Sequence, residues 1–200
     1  METIVAATQN RNKINEIEAI TREFGFRIIT QSEAGIPDID ILENGETFEE
    51  NSLIKAREIM KLSGLTAIAD DSGIIVDALG GRPGVYSARY AGEERDGKKN
   101  RDKLLEELAG ISYEKRTARF VSVISVVYPG GREITARGES EGHIIFEERG
   151  SGGFGYDSLF IPLGYEKTYA ELSPEEKNEI SHRANALKLL KAKIEAQNVR

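Results

Sequence analysis

Cysteine is absent from the 200-residue chain. That excludes disulfides, thiolate zinc sites and a cysteine nucleophile. No apolar run approaches the roughly 20 residues a membrane-spanning helix needs, so no membrane partner is expected. Positive charge is also short: 27 Lys and Arg stand against 34 Asp and Glu, a net charge of −7. A general nucleic-acid binder is usually basic, and nucleic acid is not expected as a partner. An acidic chain can still hold a phosphorylated small molecule if local Lys, Arg or a metal meets the phosphates. Met1 leads straight into a strand-like run with no basic segment followed by an apolar one; no secretory signal is visible, and a cytoplasmic location is expected.

What is present is a globular composition. The hydrophobic share of 39% is enough for a real core, and residues 1–200 read as a single domain without repeats or linkers. Residues 3–7 and 26–30 read as strands around an amphipathic helix over 12–24, where Ile14, Ile17, Ile20 and Phe24 recur near helical spacing. Residues 35–45 form an acidic loop with Asp38, Asp40 and Glu43. Thr47-Phe48-Glu49-Glu50 is a capping box that opens a helix to about Leu62, with Leu53, Ala56 and Met60 inward. A strand over 66–69 runs into Asp70-Asp71-Ser72-Gly73, read as a polar turn or a metal loop, and a separate strand follows over 74–79. A helix over 99–109 stops at Gly110. Two long β runs, 117–128 and 133–146, make a hairpin through Pro129-Gly130-Gly131. A glycine loop over 150–157 and a short strand over 159–161 come next. Ser173-Pro174-Glu175-Glu176 then caps a final helix that runs to about Ala196, with a break near Ser181. The pattern predicts an α/β fold with a mixed, twisted sheet.

The chemistry-bearing residues fall in separate segments. Thr8-Gln9-Asn10-Arg11-Asn12-Lys13 lies between a strand and a helix, where backbone N–H groups and the helix dipole favour an anion. By position alone it reads equally well as a capped helix with a surface lysine. The adjacent Asp70 and Asp71 repel each other, so a shared bound cation is a natural reason to keep them together. Glu43 and the helix residues Asn51 and Lys55, one turn apart, form a third group that also reads as a solvated acidic loop. In Gly153-Phe154-Gly155-Tyr156-Asp157 the glycines allow close approach, the two rings could stack on a flat base, and Asp157 could accept from its edge. Lys177, Ser181, His182 and Arg183 suit phosphate or a carbonyl edge, or a basic helix surface. Of the two histidines, His143 reads as structural or solvent-facing. Together the segments supply a metal, phosphate grips and a ring slot, which points to a nucleotide polyphosphate.

At these residues the sequence resembles the inosine/xanthosine triphosphate pyrophosphatases. The resemblance is carried in family order by Thr8…Asn10…Lys13, Thr47-Phe48-Glu49-Glu50-Asn51 with Lys55, Ala69-Asp70-Asp71-Ser72-Gly73, Gly80-Gly81-Arg82-Pro83-Gly84-Val85-Tyr86-Ser87-Ala88-Arg89-Tyr90, Gly152-Gly153-Phe154-Gly155-Tyr156-Asp157, and Ile180-Ser181-His182-Arg183. It implies a long central mixed sheet with flanking helices, two lobes around a cleft, a homodimer and a Mg²⁺ requirement. The implied substrates are ITP, dITP and XTP, cut to the monophosphate and pyrophosphate. By family pattern Asp71 is the proton acceptor and a metal ligand, and Glu43 the second metal carboxylate. Residues Thr8, Gln9, Asn10, Arg11, Asn12, Lys13, Lys55, Ser72, Phe154, Gly155, Tyr156, Asp157 and Lys177 would bind substrate, with His182 and Arg183 near the base. Gln9 stands where the family often has Gly, Ser52 where Ala is common, and Ser158 where Pro is common; none removes a charged group.

Overall fold

A computed structural model of the chain describes residues 2–37, 39 and 41–198. Asp38 and Asp40 of the acidic loop lie outside the described residues. The first strand, β1 (Glu2–Ala6), leads into helix α1 (Arg11–Thr21), and a single 3₁₀ turn (Arg22–Phe24) returns the chain to β2 (Phe26–Ile29). Asn10 explains where α1 starts: its side-chain oxygen accepts from the N–H groups of Asn12 and Lys13 at 3.0 and 3.3 Å, satisfying donors that a helix start leaves open. Gly25, at φ +76°, makes the left-handed turn that ends the 3₁₀ segment.

Helix α2 (Phe48–Ser63) begins where the Thr47 capping box predicts, with both reciprocal bonds formed, and Gly64 closes it in the left-handed region. Ala56 faces inward as expected, joined by Phe48 and Ile59, while Leu53 and Met60 are partly buried. Strand β3 (Ala67–Val76) follows, and here the structure departs from the expected strand–turn–strand. Asp70-Asp71-Ser72-Gly73 is the middle of one ten-residue strand. The reason is tertiary: each carboxylate meets cations from elsewhere in the chain, so neither needs the solvent that a turn would give it. Gly73 does not serve a turn either. A Cβ at that position would collide with the Gly84 carbonyl oxygen and the Ser87 hydroxyl, and the Ile74 N–H donates to Ser87 Oγ at 2.9 Å. The glycine permits close packing against the 80–90 segment.

Helix α3 (Gly97–Glu107) ends near Gly110, and β4 (Thr117–Val127) and β5 (Glu133–Ile144) form the long hairpin. Its turn is closed by the Gly131 N–H on the Tyr128 oxygen and the Tyr128 N–H on the Arg132 oxygen, both 2.9 Å. β6 (Phe160–Pro162) is short. Helices α4 (Pro174–Ile180) and α5 (His182–Asn198) are separated at Ser181, whose backbone is extended, so the break falls where the sequence places it.

The sheet order is β2-β1-β3-β4-β5-β6. β1 runs parallel to β2 and β3, while β6 is antiparallel to β5, so the sheet is mixed. The chain divides into two compact units, Met1–Asp71 with Ser122–Gly138 and Arg183–Arg200, and Ser72–Val121 with Glu139–His182. In the first unit, strand alternation sorts the core onto two faces. Ile4, Ile68, Ile124 and Ile134 pack with Ile17 of α1 and Ala186, Leu187 and Leu190 of α5. Val5, Ala67, Ala69 and Val127 pack with Ala56 and Ile59 of α2. The second unit has its own core, where Phe120, Phe160 and Tyr169 gather with Leu104, Leu108 and Tyr156. No described helix is long and apolar enough to cross a membrane.

Candidate active site

The same alternation separates the two aspartates. Asp70 shares its face with Ile68 and turns toward α1 and α5, whereas Asp71 shares its face with Ala69 and turns toward α2. They do not converge on one cation, as the expectation of a shared ion required; each has its own ammonium. Among the described residues, no group of three carboxylates or histidines gathers at one point.

On the first face Asp70 is fully buried. Its carboxylate accepts from Lys13 Nζ at 2.8 Å, from Arg183 Nη2 at 3.1 Å and Nε at 3.3 Å, and from Ser122 Oγ at 2.5 Å. Burial alone would raise this carboxyl, but Arg183 and Lys13 outweigh it and hold Asp70 well below the ordinary range. Arg183 Nη1 reaches Glu16 on α1. The guanidinium is thus committed to two carboxylates inside the first unit, and the side chain is 1% exposed.

On the second face Lys55 Nζ lies 2.8 Å from Asp71 Oδ1, 3.0 Å from Glu43 Oε1 and 3.0 Å from the Asp70 carbonyl oxygen. Burial depresses a lysine, yet Asp71 and Glu43 together hold this one above its ordinary value. For Asp71 burial prevails over Lys55 and Lys13, and its carboxyl is raised. Glu43 reaches this position because its loop is tied to α2. The Asn51 side chain accepts from the Gly45 N–H at 2.8 Å and donates to the Gly45 oxygen at 3.3 Å. Glu50 accepts from the N–H groups of Glu46 and Thr47.

Lys13 Nζ also lies 3.5 Å from the Asp70 carbonyl oxygen. The strand geometry explains why two lysines meet there. The oxygens of Thr66 and Ile68 are taken by the N–H groups of Val5 and Ala7, but β1 ends at Ala6. The next β3 carbonyl on that side, Asp70, projects beyond the end of β1, and both ammonium groups use it. The result is two ammonium groups set among Asp70, Asp71 and Glu43 beside the start of α1, at the carboxyl end of a parallel strand, where α/β sheets commonly take ligands. Residues 8–13 border them. Gln9, Asn10, Arg11 and Asn12 are exposed and Thr8 is half-buried, with Thr8 Oγ1 accepting the Asn10 N–H.

The second unit holds its own group. Asp157 Oδ2 accepts from Lys177 Nζ at 2.7 Å and from the Phe154 N–H at 2.8 Å. Lys177 Nζ sits 5.0 Å from the Phe154 ring centroid and 5.6 Å from that of Tyr169. Gly153, at φ +68°, has no room for a Cβ, which would strike the Asp157 carboxylate. Gly155 is exposed and Ser72 half-buried. Tyr156 is buried in the core, and its hydroxyl donates to the Ser87 oxygen at 2.8 Å. Phe154 is the half-buried ring of the loop. His182 is 4% exposed and stacks on Phe120 at 4.8 Å between centroids. His143, by contrast, stacks on Tyr113 at 5.0 Å, the structural role expected of it.

The sequence reading did not single out Ser122 or Glu16. A polar residue interrupting the apolar β4 run marks Ser122, and Glu16 stands three residues after Lys13 on one helix face. The glutamate's partner, Arg183, is too distant in the chain to be paired by pattern.

The model of the Ham1 family matches residues 4–193. A Haemophilus influenzae protein named dITP/XTP pyrophosphatase is 51% identical over 195 residues, covering 96% of this chain and 99% of that one. A Bacillus subtilis protein of the same name is 48% identical over 196 residues, covering 98% of both. The solved structure of the Staphylococcus aureus Ham1 protein superposes with a TM-score of 0.86 at 43% identity, covering 98% of this chain and all of that one.

Proposed function

Because the chain belongs to the Ham1 family, we propose that it hydrolyses non-standard purine nucleoside triphosphates, ITP, dITP and XTP, between the α- and β-phosphates. The observation that carries this reading is the meeting of Lys13 and Lys55 on the Asp70 carbonyl oxygen, with Asp71 and Glu43 alongside. Two ammonium groups and a helix start answer a triphosphate, and two carboxylates answer a metal and a water.

Asp71 and Glu43 fit Mg²⁺, which takes hard oxygen ligands and is usually held by one or two carboxylates together with substrate phosphates. Both already converge on a single cation, the Lys55 ammonium. When bound, Mg²⁺ would supply charge neutralisation for the triphosphate. Asp71 takes a proton from the water that attacks the α-phosphorus. Lys13, Lys55 and the donors of residues 8–13 offset the charge of the departing pyrophosphate, so positioning and charge do most of the work. Ser72, with Phe154, Gly155, Asp157, Lys177 and His182, receives the nucleoside, and Phe154 supplies the stacking ring. Residues 1–200 act as one catalytic domain. The same reading has the chain work in the cytoplasm as a homodimer on a small-molecule substrate; sedimentation tests the dimer.

The bond cut is tested directly. Incubation with ITP and Mg²⁺ should yield IMP and pyrophosphate. Release of orthophosphate with IDP places the attack at the γ-phosphorus and defeats the mechanism.

Base selection follows from donor chemistry. Hypoxanthine and xanthine carry a carbonyl at position 6, where adenine carries an amino group. Lys177 has donors and no acceptor, so adenine would leave donors facing one another, at about 1–3 kcal/mol for each unsatisfied group. GTP shares the 6-carbonyl and must be refused at its 2-amino group. ATP and GTP should be at least about 100-fold poorer than ITP in kcat/KM, roughly 2.7 kcal/mol. Lys177→Met is expected to narrow the ITP-to-ATP gap, since an ammonium carries donors only. Comparable rates on ATP or GTP would end this reading.

A further inference from the structure

The position of Lys55 carries an inference that rests on the proposed metal-dependent function and concerns the order in which the site is loaded. Its ammonium lies between Glu43 and Asp71, at 3.0 and 2.8 Å. The Lys55 and Asp71 side chains are each 7% exposed and that of Glu43 25%, so water screens these charges poorly. A third bond, to the Asp70 carbonyl oxygen at 3.0 Å, anchors the ammonium on a neutral group. One oxygen of each carboxylate, Glu43 Oε1 and Asp71 Oδ1, therefore already faces a cation of the chain's own. We propose that Lys55 is a resident counter-cation of the metal carboxylates, so that the protein without nucleotide takes up a divalent ion poorly and metal and triphosphate enter together.

The physical reason is charge balance. Glu43 and Asp71 carry two negative charges, and Lys55 cancels one of them. A divalent ion entering alone must share those oxygens with a poorly screened like charge only a few ångströms away. A triphosphate reverses the balance, because its oxygens supply new partners for the ammonium and new ligands for the metal. Lysine suits this exchange better than arginine would. Its compact charge sits on a flexible stem and can pass from carboxylate to phosphate without a fixed planar geometry. Lys13, close by on the same carbonyl oxygen, is committed to Asp70 and is not placed between the two metal carboxylates.

The test measures Mn²⁺ binding by electron paramagnetic resonance, with no turnover involved. Wild-type protein should leave the free Mn²⁺ signal largely intact until the α,β-methylene analogue of ITP is added, which should then sequester the ion beyond what the analogue alone chelates in a protein-free control. Lys55→Met, which keeps the length of the side chain and removes its charge, should bind Mn²⁺ alone at least tenfold more tightly than wild type. The double variant Lys55→Met with Asp71→Asn should lose that gain. Far-UV circular dichroism establishes that each variant is folded. A folded Lys55→Met that binds Mn²⁺ no more tightly overturns the inference and leaves the proposed function standing, since that rests on pyrophosphate release by the wild type. A gain that survives Asp71→Asn also overturns it, because the ion is then held elsewhere. If Lys55→Met does not fold, the wild type still decides: tight Mn²⁺ binding without nucleotide overturns the inference.

Discussion

Asp71→Asn is expected to lower kcat for pyrophosphate release from ITP by about 10²–10⁴-fold, with the fold retained. The substitution keeps the side-chain shape and removes the charge and the basic oxygen. Asp71 lies on the α2 face of β3, where it pairs with Lys55, and Lys55 keeps Glu43 and the Asp70 carbonyl oxygen as partners. The ammonium is therefore not abandoned in the interior, and the large cost of an unpaired buried charge does not arise. Burial raises the Asp71 carboxyl from its ordinary value, the direction that suits a proton acceptor. A continuous pyrophosphate assay beside a thermal melt separates the two effects. A variant within about tenfold of wild type in kcat would remove Asp71 from the role of proton acceptor.

The proposed assignment of Asp71, and not Asp70, to the chemistry rests on motif resemblance; β3 turns Asp71 toward Lys55 and Asp70 toward Lys13 and Arg183. What was legible in the sequence and what was not divides along one line. The capping boxes at Thr47 and Ser173, the hairpin through Pro129-Gly130-Gly131 and the break at Ser181 are written in residues within a few positions of each other, and the structure contains each of them. Asp70-Asp71-Ser72-Gly73 has the composition of a turn, and only the lysines and the arginine that meet it across the fold make it a strand. Tyr156 reads as a stacking ring beside Phe154, yet its hydroxyl finds the Ser87 oxygen 69 residues away, which lets it join the core. Arg183 reads as an open donor because its partners, Asp70 and Glu16, stand 113 and 167 residues earlier. The residue types needed for the chemistry were visible in the sequence, but their pairing depended on long-range contacts that no local pattern records.

That pairing predicts opposite behaviour for the neighbouring aspartate. Asp70→Asn should act on stability first and on turnover second. Asp70 balances Lys13 and Arg183 in a network closed by Glu16 and Ser122, and neither Asp70 nor Arg183 reaches solvent appreciably. Removing one negative charge leaves a buried guanidinium and an ammonium with a single carboxylate between them. Breaking a buried pair in this way costs about 3–5 kcal/mol, and for a chain of this size each kcal/mol shifts Tm by roughly 2–4 °C. A fall of about 6–20 °C is the expected result. The pH dependence has a definite sign. The folded state holds the Asp70 carboxyl well below its ordinary value, with Arg183 and Lys13 outweighing burial. Its contribution is therefore fully present above the unfolded value of about 3.9 and is lost as pH falls through the lower folded value. The gap between wild type and Asp70→Asn should accordingly stay constant across about pH 5–8. Activity per folded molecule should fall less than in Asp71→Asn, because the substitution leaves the proposed proton acceptor in place and loosens only the carboxylate that holds Lys13. A melt within about 2 °C of wild type, or a stability gap that closes on approaching neutral pH, would show that Asp70 does not anchor the first unit.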